Sequence, residues 1–188
     1  MELKIIELNI DKLKEIYAST DCQQLINTMN EFYPKIGFNK PWVGYFAFNN
    51  NQVVGTGGFT GQPKDGKVEI AYWTFKEFEN QGIASFVCKQ LITIAKATDL
   101  NIIITAKTAP EHNASTKILQ NNGFAFTEIT QDDEIGNAWL WTLKTNWHYS
   151  LQTIKIDKME TTLTKKFDAS ELEQKVKKMY SDVALNPN

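Results

Sequence analysis

The 188-residue chain has no arginine: its 20 basic side chains are all lysine. Bidentate guanidinium recognition of a phosphate or carboxylate is therefore excluded, and lysine point charges and backbone amides must serve. Net charge is also small, since 22 acidic residues against 20 lysines leave −2. That balance gives no electrostatic footprint for nucleic acid, so no nucleic-acid partner is expected. Cysteine is scarce, and Cys22 and Cys88 lie far apart without metal-ligand spacing. They read as reduced, mostly buried thiols of a cytoplasmic protein, with no metal expected. The two histidines, His112 and His148, stand apart and beside no nucleophile-bearing motif. No apolar run approaches the ~20 residues of a membrane span, so no membrane partner is expected. The opening Met-Glu-Leu-Lys-Ile-Ile-Glu-Leu alternates and carries acids, unlike a signal peptide. Low-complexity stretches and internal repeats are missing as well.

What remains is enough for a sizeable core: 42% of residues are hydrophobic and 12% aromatic. Residues 3–8 alternate as a strand does. Residues 10–19 read as a short amphipathic helix with Leu13, Ile16 and Tyr17 inward. Residues 21–33 repeat the helical period with Leu25, Ile26, Met29 and Phe32, and Pro34 and Gly37 end it. Residues 42–49 and 52–61 form a hairpin about an asparagine-rich turn, and a second turn at 63–66 leads into a strand over 67–75. A long helix over 82–98 follows, with Ile83, Val87, Leu91 and Ile94 as its buried stripe. Residues 101–106 form a nearly continuous apolar strand, which suggests a central position covered on both faces. Residues 113–122 form a helix capped at Gly123, and 124–130 with 137–144 close the pattern as a hairpin. Together these predict an α/β (mixed α+β) domain, with a central, mostly antiparallel sheet and helices on both faces. Gly55, Gly57 and Gly58 precede no helix, so they mark a bulged or closely approached strand and not a dinucleotide fingerprint.

The most informative stretch runs from Lys67 to Ser85, where a strand feeds a polar loop that opens onto a helix at Gly82. Free backbone N–H groups converge there, an anion site that suits a pyrophosphate. The loop Glu79-Asn-Gln-Gly82-Ile-Ala84 resembles the acetyl-coenzyme A loop of the GNAT N-acyltransferases, with Glu79 where Arg or Gln usually stands. The segment Asn113-Ala-Ser115 through Gly123-Phe124 is similar to the branch of that family containing the ribosomal-protein N-terminal (RimJ/RimL-type) acetyltransferases. So is the hairpin at 41–59, with its glycine-rich second strand, followed by Glu69-Ile-Ala-Tyr72-Trp73. The likeness spans roughly residues 42–144.

The resemblance implies the GNAT fold and an acetyl-coenzyme A co-substrate. It implies transfer of an acetyl group to a primary amine, either a protein N-terminus or a small molecule, within a ternary complex. It places the coenzyme on Trp73, Thr74, Phe75, Asn80, Gln81, Gly82, Ile83, Ala84, Ser85 and Asn113. Ser115 is the implied proton donor to the leaving thiolate. From the strand itself, Glu69 shares a face with Ala71 and Trp73 and is the candidate general base, while parity puts Tyr72, the reserve donor, on the other face. A backbone N–H in residues 71–75 would polarise the thioester. Trp139 and Trp141 share one face, as core or pocket, and the acidic run Asp132, Asp133, Glu134 reads as a turn or as a lure for a cationic acceptor.

Residues 1–146 are expected to form the transferase domain and 147–188 a C-terminal extension. The extension carries a capping box from Ser170 to Glu173 and weakly resembles the start of a helix-grip (START-like) domain over 160–185. It is expected to act as an arm that packs on its own domain or forms a homodimer. A bacterial source fits the Lys-, Ile- and Asn-rich composition. The rival expectation is a non-enzymatic module on the same fold, motivated by Glu79 and the tail.

Overall fold

The computed structural model describes residues 1–132 and 136–144. The expectations for 147–188, for Asp133 and Glu134, and for His148 lie outside the described residues. Seven strands form one sheet: β1 (Glu2–Ile5), β2 (Gly44–Asn49), β3 (Gln52–Phe59), β4 (Lys67–Thr74), β5 (Ile103–Thr108), β6 (Phe124–Asp132) and β7 (Gly136–Leu143). Their order is β1-β2-β3-β4-β5-β7-β6. Only β4 and β5 run parallel; every other neighbouring pair is antiparallel. Asn50 and Asn51, both at positive φ, make the tight β2–β3 turn, a conformation asparagine tolerates better than most residues. The parallel pair requires a crossover, which the helix α2 (Ile83–Thr98) supplies.

The two faces of the sheet bury different helices. On one face, Phe46, Phe48, Val53 and Phe75 pack with Ile6 and with Cys22, Leu25 and Ile26 of α1 (Thr20–Ile36). On the other face lies α2, so close to β3 that a Cβ on Gly57 would sit 2.3 Å from Val87 Cγ1. The predicted close approach at the glycine run is therefore real. The third helix, α3 (Ala114–Asn121), lies on this second face beside α2, where the Asn122 side chain donates to Ser85 Oγ at 3.4 Å.

Four expectations change. The helix over 10–19 reduces to a 3₁₀ turn at Glu15–Tyr17, with Leu13 94% and Ile16 42% exposed. Asp11 explains this: its carboxylate accepts the Leu13 N–H at 3.1 Å and its carbonyl the Lys14 N–H at 3.3 Å. That local turn outcompetes a segment too short to nucleate a helix. Tyr17 still packs inward, stacked on Phe46 at 5.1 Å. Secondly, α1 continues through Pro34 to Ile36, and Gly37 at φ 82° is the true stop, its N–H donating to Tyr33 C=O at 2.8 Å. Thirdly, the buried stripe of α2 is Ile83, Val87, Cys88, Leu91, Ile92 and Ala95, with Ile94 half-exposed. Fourthly, β5 is central, as expected, but is not covered throughout, for Ile103 is 42% exposed and Lys107 half-buried.

Candidate active site

The parallel strands β4 and β5 share only three rungs, Lys67↔Ile103, Val68↔Ile104 and Glu69↔Thr105. Beyond Glu69, β4 stays paired with β3 up to Thr74, while β5 stays paired with β7 up to Thr108. The sheet therefore splays open at its centre. The direction of the β4 backbone follows from two bonds: Thr60 N–H donates to Glu69 C=O at 3.0 Å, and Phe75 N–H to Val54 C=O at 3.1 Å. Odd positions thus address β3, and by alternation the N–H groups of Tyr72 and Thr74 address the gap. The side chain of Thr74 adds an orphan, since its Oγ1 is buried without a hydrogen-bond partner among the described residues.

The end of β4 leads through a 3₁₀ turn at Lys76–Phe78 to Asn80 at φ 61° and Gly82 at φ 77°. Gly82 is the N-cap of α2, and no side chain caps it. The first bond of the helix is Phe86 N–H to Gly82 C=O at 3.0 Å, so the amides of Ile83, Ala84 and Ser85 lie ahead of any intrahelical acceptor. A Cβ at Gly82 would meet nothing within 4 Å among the described residues. Glu79, Asn80 and Gln81 are exposed. Ile83 and Phe75 bury their side chains in the core, and only their backbones are available. Trp73 lies on the α1 face with Phe75, 46% exposed and edge-on to it at 5.2 Å. These residues fit an extended ligand carrying a diphosphate, with amides at one end and unspent strand N–H groups in the gap.

Glu69 and Ser115 flank the splay from opposite faces. Glu69 shares the α1 face with exposed Ala71 and Trp73, as parity predicted. Its carboxylate lies 3.4 Å from Lys107 Nζ, which also donates to Asp132 Oδ2 at 3.1 Å. Burial pulls the Lys107 ammonium down, but hydrogen bonds and charges from Asp132 and Glu69 together hold it above its ordinary value. Sequence reasoning missed Lys107; its signal is a lone lysine in the otherwise uncharged run Ile103-Ile-Thr-Ala-Lys-Thr108. Asp132, read as part of a turn or cationic lure, is the partner of that lysine.

On the α2 face, Tyr72 O–H donates to Ser115 C=O at 3.3 Å and lies 3.4 Å from Ser115 Oγ. Burial raises the Tyr72 phenol well above its usual range, with the Ser115 hydrogen bond pulling weakly the other way. The reserve donor and the implied donor are therefore one pair. Asn113 is the N-cap of α3, its Oδ1 accepting Thr116 N–H at 3.1 Å while Thr116 Oγ1 accepts Asn113 N–H at 3.0 Å. Trp141 is buried, donating to Thr108 Oγ1 at 3.0 Å, and Trp139 meets exposed His112 at 5.0 Å.

Comparison with known proteins gives the family. The acetyltransferase (GNAT) domain family matches residues 10–125. No curated protein matches the chain. Among solved structures, a probable acetyltransferase aligns with TM-score 0.52 at 20% identity, over 68% of this chain and 73% of its own. RimL, a ribosomal-protein α-N-acetyltransferase in complex with coenzyme A, aligns with TM-score 0.51 at 18% identity, over 66% and 73%. A chimera of the Vibrio cholerae spermidine N-acetyltransferase SpeG and hSSAT aligns with TM-score 0.56 at 13% identity, over 80% and 99%. Identities this low speak to the fold alone. The family match carries more, for it takes in the meander, the loop at Gly82, both strands of the splay and all of α3. On that match the chain belongs to the GNAT acetyltransferases, a family of acyl-transferring enzymes.

Proposed function

We propose that this protein transfers the acetyl group of acetyl-coenzyme A directly to a primary amine, on a protein N-terminus or a small molecule. The observation that carries this reading is the β4–β5 splay ending against the uncapped first turn of α2. Acetyl-coenzyme A supplies the activated thioester; everything else comes from the chain. The amides of Ile83, Ala84 and Ser85 hold the diphosphate, a task that needs no arginine. Asn80, Gln81 and Gly82 shape that loop, and Thr74 and Asn113 border the pantetheine path. The N–H groups of Tyr72 and Thr74 stabilise negative charge on the carbonyl oxygen. Glu69 takes a proton from the acceptor ammonium, directly or through water. The freed nitrogen pair forms the C–N bond as the C–S bond breaks, the Tyr72–Ser115 pair protonates the leaving sulfur, and the second proton of the acylated nitrogen leaves through water and restores that pair.

The acceptor is read on the α1 face, where Glu69, Ala71 and Trp73 are open. A surface cavity of about 460 Å³, lined in part by Glu15, Asp21 and Glu77 over Val53 and Phe75, lies past the far end of β4, and its lining includes none of Glu69, Ala71 and Trp73. Residues 1–146 are taken as the catalytic domain and 147–188 as an arm for self-packing or dimerisation. The assigned setting is the bacterial cytoplasm, on composition and family character. Glu79, which motivated a non-enzymatic reading, is exposed and solvated.

Calorimetric titration with acetyl-coenzyme A, followed by an amine-library acetylation screen, tests the proposal. Micromolar binding and turnover are expected. Glu69→Gln should lower kcat by about tenfold or more with coenzyme affinity kept. Equal activity in both forms removes Glu69 from the mechanism, and absence of binding at millimolar coenzyme ends the reading.

A further inference from the structure

Asn122 is the only buried carboxamide among the described residues, 8% exposed at the end of α3. Its Nδ2 donates to Ile118 C=O at 2.8 Å and lies 3.4 Å from Ser85 Oγ on α2. A carbonyl only accepts, so the contact with Ile118 fixes which end of the amide faces α2. Asn122 therefore donates to Ser85, and the Ser85 hydroxyl must place its own proton elsewhere. Other helical hydroxyls spend that proton on the carbonyl four residues back: Thr28 on Gln24 at 3.1 Å, Thr93 on Lys89 at 2.9 Å and Thr98 on Ile94 at 2.9 Å. Ser85 is the third residue of α2, so the carbonyl four back belongs to Gln81, ahead of the cap and outside the helix. Among the described residues, the one hydrogen bond at Ser85 Oγ is the bond it accepts from Asn122. Side chains on a helix lean toward its N-terminus, which carries this hydroxyl toward the amides of Ile83, Ala84 and Ser85. Residues 79–86 hold no positive side chain, so an anion there is held by neutral donors. Thr74 Oγ1, buried without a partner on the same face of the sheet, is a second hydroxyl whose bonding the described residues leave incomplete.

We propose that Asn122 is a positioning residue of the coenzyme site: by donating to Ser85 Oγ it turns the Ser85 O–H toward the diphosphate, adding a side-chain donor to the amides of the first turn. The proposal rests on the reading above, in which that turn holds the diphosphate. The donors then run one way, from the Asn122 amide to the Ser85 oxygen and from the Ser85 hydroxyl to a phosphate oxygen. A hydroxyl that donates to an anion becomes a better acceptor, so the 3.4 Å contact should shorten when the coenzyme binds. Asn122 is itself held in place, because its backbone N–H also donates to Ile118 C=O, at 3.0 Å. The amide thus reaches α2 from a fixed point on α3.

The test is a double-mutant cycle in the full chain, with Ser85→Ala, Asn122→Leu and the two combined, read by calorimetric titration with coenzyme A. Ser85→Ala should raise Kd about tenfold. Asn122→Leu should raise it about fivefold when Ser85 is present and by less than about 1.5-fold once Ser85 is alanine. An Asn122 that only stabilises α3 multiplies Kd by the same factor in both backgrounds. That outcome overturns the proposal, as does an unchanged Kd in Ser85→Ala. Urea unfolding checks that each variant folds, and Asn122→Ser, whose hydroxyl is too short to span to α2, repeats the cycle where the leucine variant does not. NMR supplies a readout of the bond itself, through the Asn122 side-chain amide protons, identified by their loss in Asn122→Leu. One of the two should move downfield when coenzyme A binds the wild type and stay in place in Ser85→Ala; an equal shift in both proteins overturns the proposal. If the wild type binds no coenzyme A at millimolar concentration, the functional reading fails and the role of Asn122 falls with it. Micromolar binding with equal factors in the two backgrounds ends the role of Asn122 alone.

Discussion

Gly57 is where the sheet and α2 are pressed together, so Gly57→Ala probes both stability and the proposed coenzyme site. An added Cβ would stand 2.3 Å from Val87 Cγ1, 3.1 Å from Leu91 Cδ1 and 3.2 Å from Ala71 O. Ordinary carbon contacts are ~3.5–4.0 Å, so the shortfall against Val87 is about 1.2 Å or more. Val87 has no exposed surface, and a β-branched side chain on a helix has one favoured rotamer, so it cannot swing clear. The helix must lift, or the core must strain. Overpacking of this kind costs about 1–3 kcal/mol, against which the stiffer unfolded chain returns about 0.4–1 kcal/mol. The net loss is about 1–2 kcal/mol, read by urea unfolding. Val87→Ala alone should cost about 2 kcal/mol by removing buried methyl groups. It also removes the atom in conflict, so the double variant should be less destabilised than the sum by about 1 kcal/mol or more. Coenzyme A affinity should weaken in Gly57→Ala, because the first turn of α2 moves with the helix, and should recover in the double variant. Additivity within about 0.5 kcal/mol, or wild-type stability in Gly57→Ala, would refute the reasoning.

The remaining predictions separate backbone from side-chain effects. Gly82→Ala meets no steric obstacle but must hold φ at 77°; it should cost about 1–2 kcal/mol locally and weaken coenzyme A binding. Gly82→Asn should recover most of the loss, since asparagine visits that region readily; isothermal titration that finds the alanine variant at wild-type Kd would discount the left-handed cap. Burial pushes the Tyr33 phenol from 10.0 to about 12. The folded state therefore holds this proton more tightly than the unfolded one, so the contribution is complete below pH ~10 and is lost as pH rises toward about 12, at roughly 1.4 kcal/mol per unit. Tyr33→Phe should flatten the alkaline fall in urea-derived stability and lower the neutral plateau by about 1 kcal/mol, because the hydroxyl also donates to Ile6 C=O. An alkaline slope identical in both proteins would exclude Tyr33 as its source.

Legibility followed the range of the interactions. The meander, the long helix at Gly82 and the Asn113 cap were readable because periodicity, turn residues and capping chemistry are local. Parity along β4 correctly put Glu69 with Trp73 and Tyr72 opposite them. The first helix failed because a single carboxylate, Asp11, captured the amides that a helix needed. The stripe on α2 was misjudged at Ile94 because Cys88 and Ile92 are equally apolar, and only the placement of β3 and β4 decides which side is inward. Nothing local tells that Lys107 meets Asp132, since the two are 25 residues apart and depend on how β6 and β7 lie across the sheet. Nor does sequence tell that Tyr72 meets Ser115, 43 residues away.

The organisation of the site reduces to one property of β4. Each residue of a strand commits its side chain to a face and its amide to an edge, and both alternate with the same period. In β4 the odd positions present side chains to the α1 face and amides to β3, and the even positions present side chains to the α2 face and amides to the gap. The residues whose N–H groups line the splay, Tyr72 and Thr74, are therefore those whose side chains lie on the donor side. The proposed base, Glu69, is confined to the other face by the same alternation. The proposed proton acceptor and donor are thus kept apart by the sheet itself, with the gap between β4 and β5 as the place where the two faces communicate. A one-residue slip of β4 against β3 would exchange both assignments at once, turning Glu69 under α2 and Tyr72 into solvent. The close fits on β3, where a Cβ on Gly55 would stand 2.5 Å from Trp73 O and one on Gly57 2.3 Å from Val87, oppose that slip. The glycines of β3 accordingly set the register on which the chemistry of β4 depends.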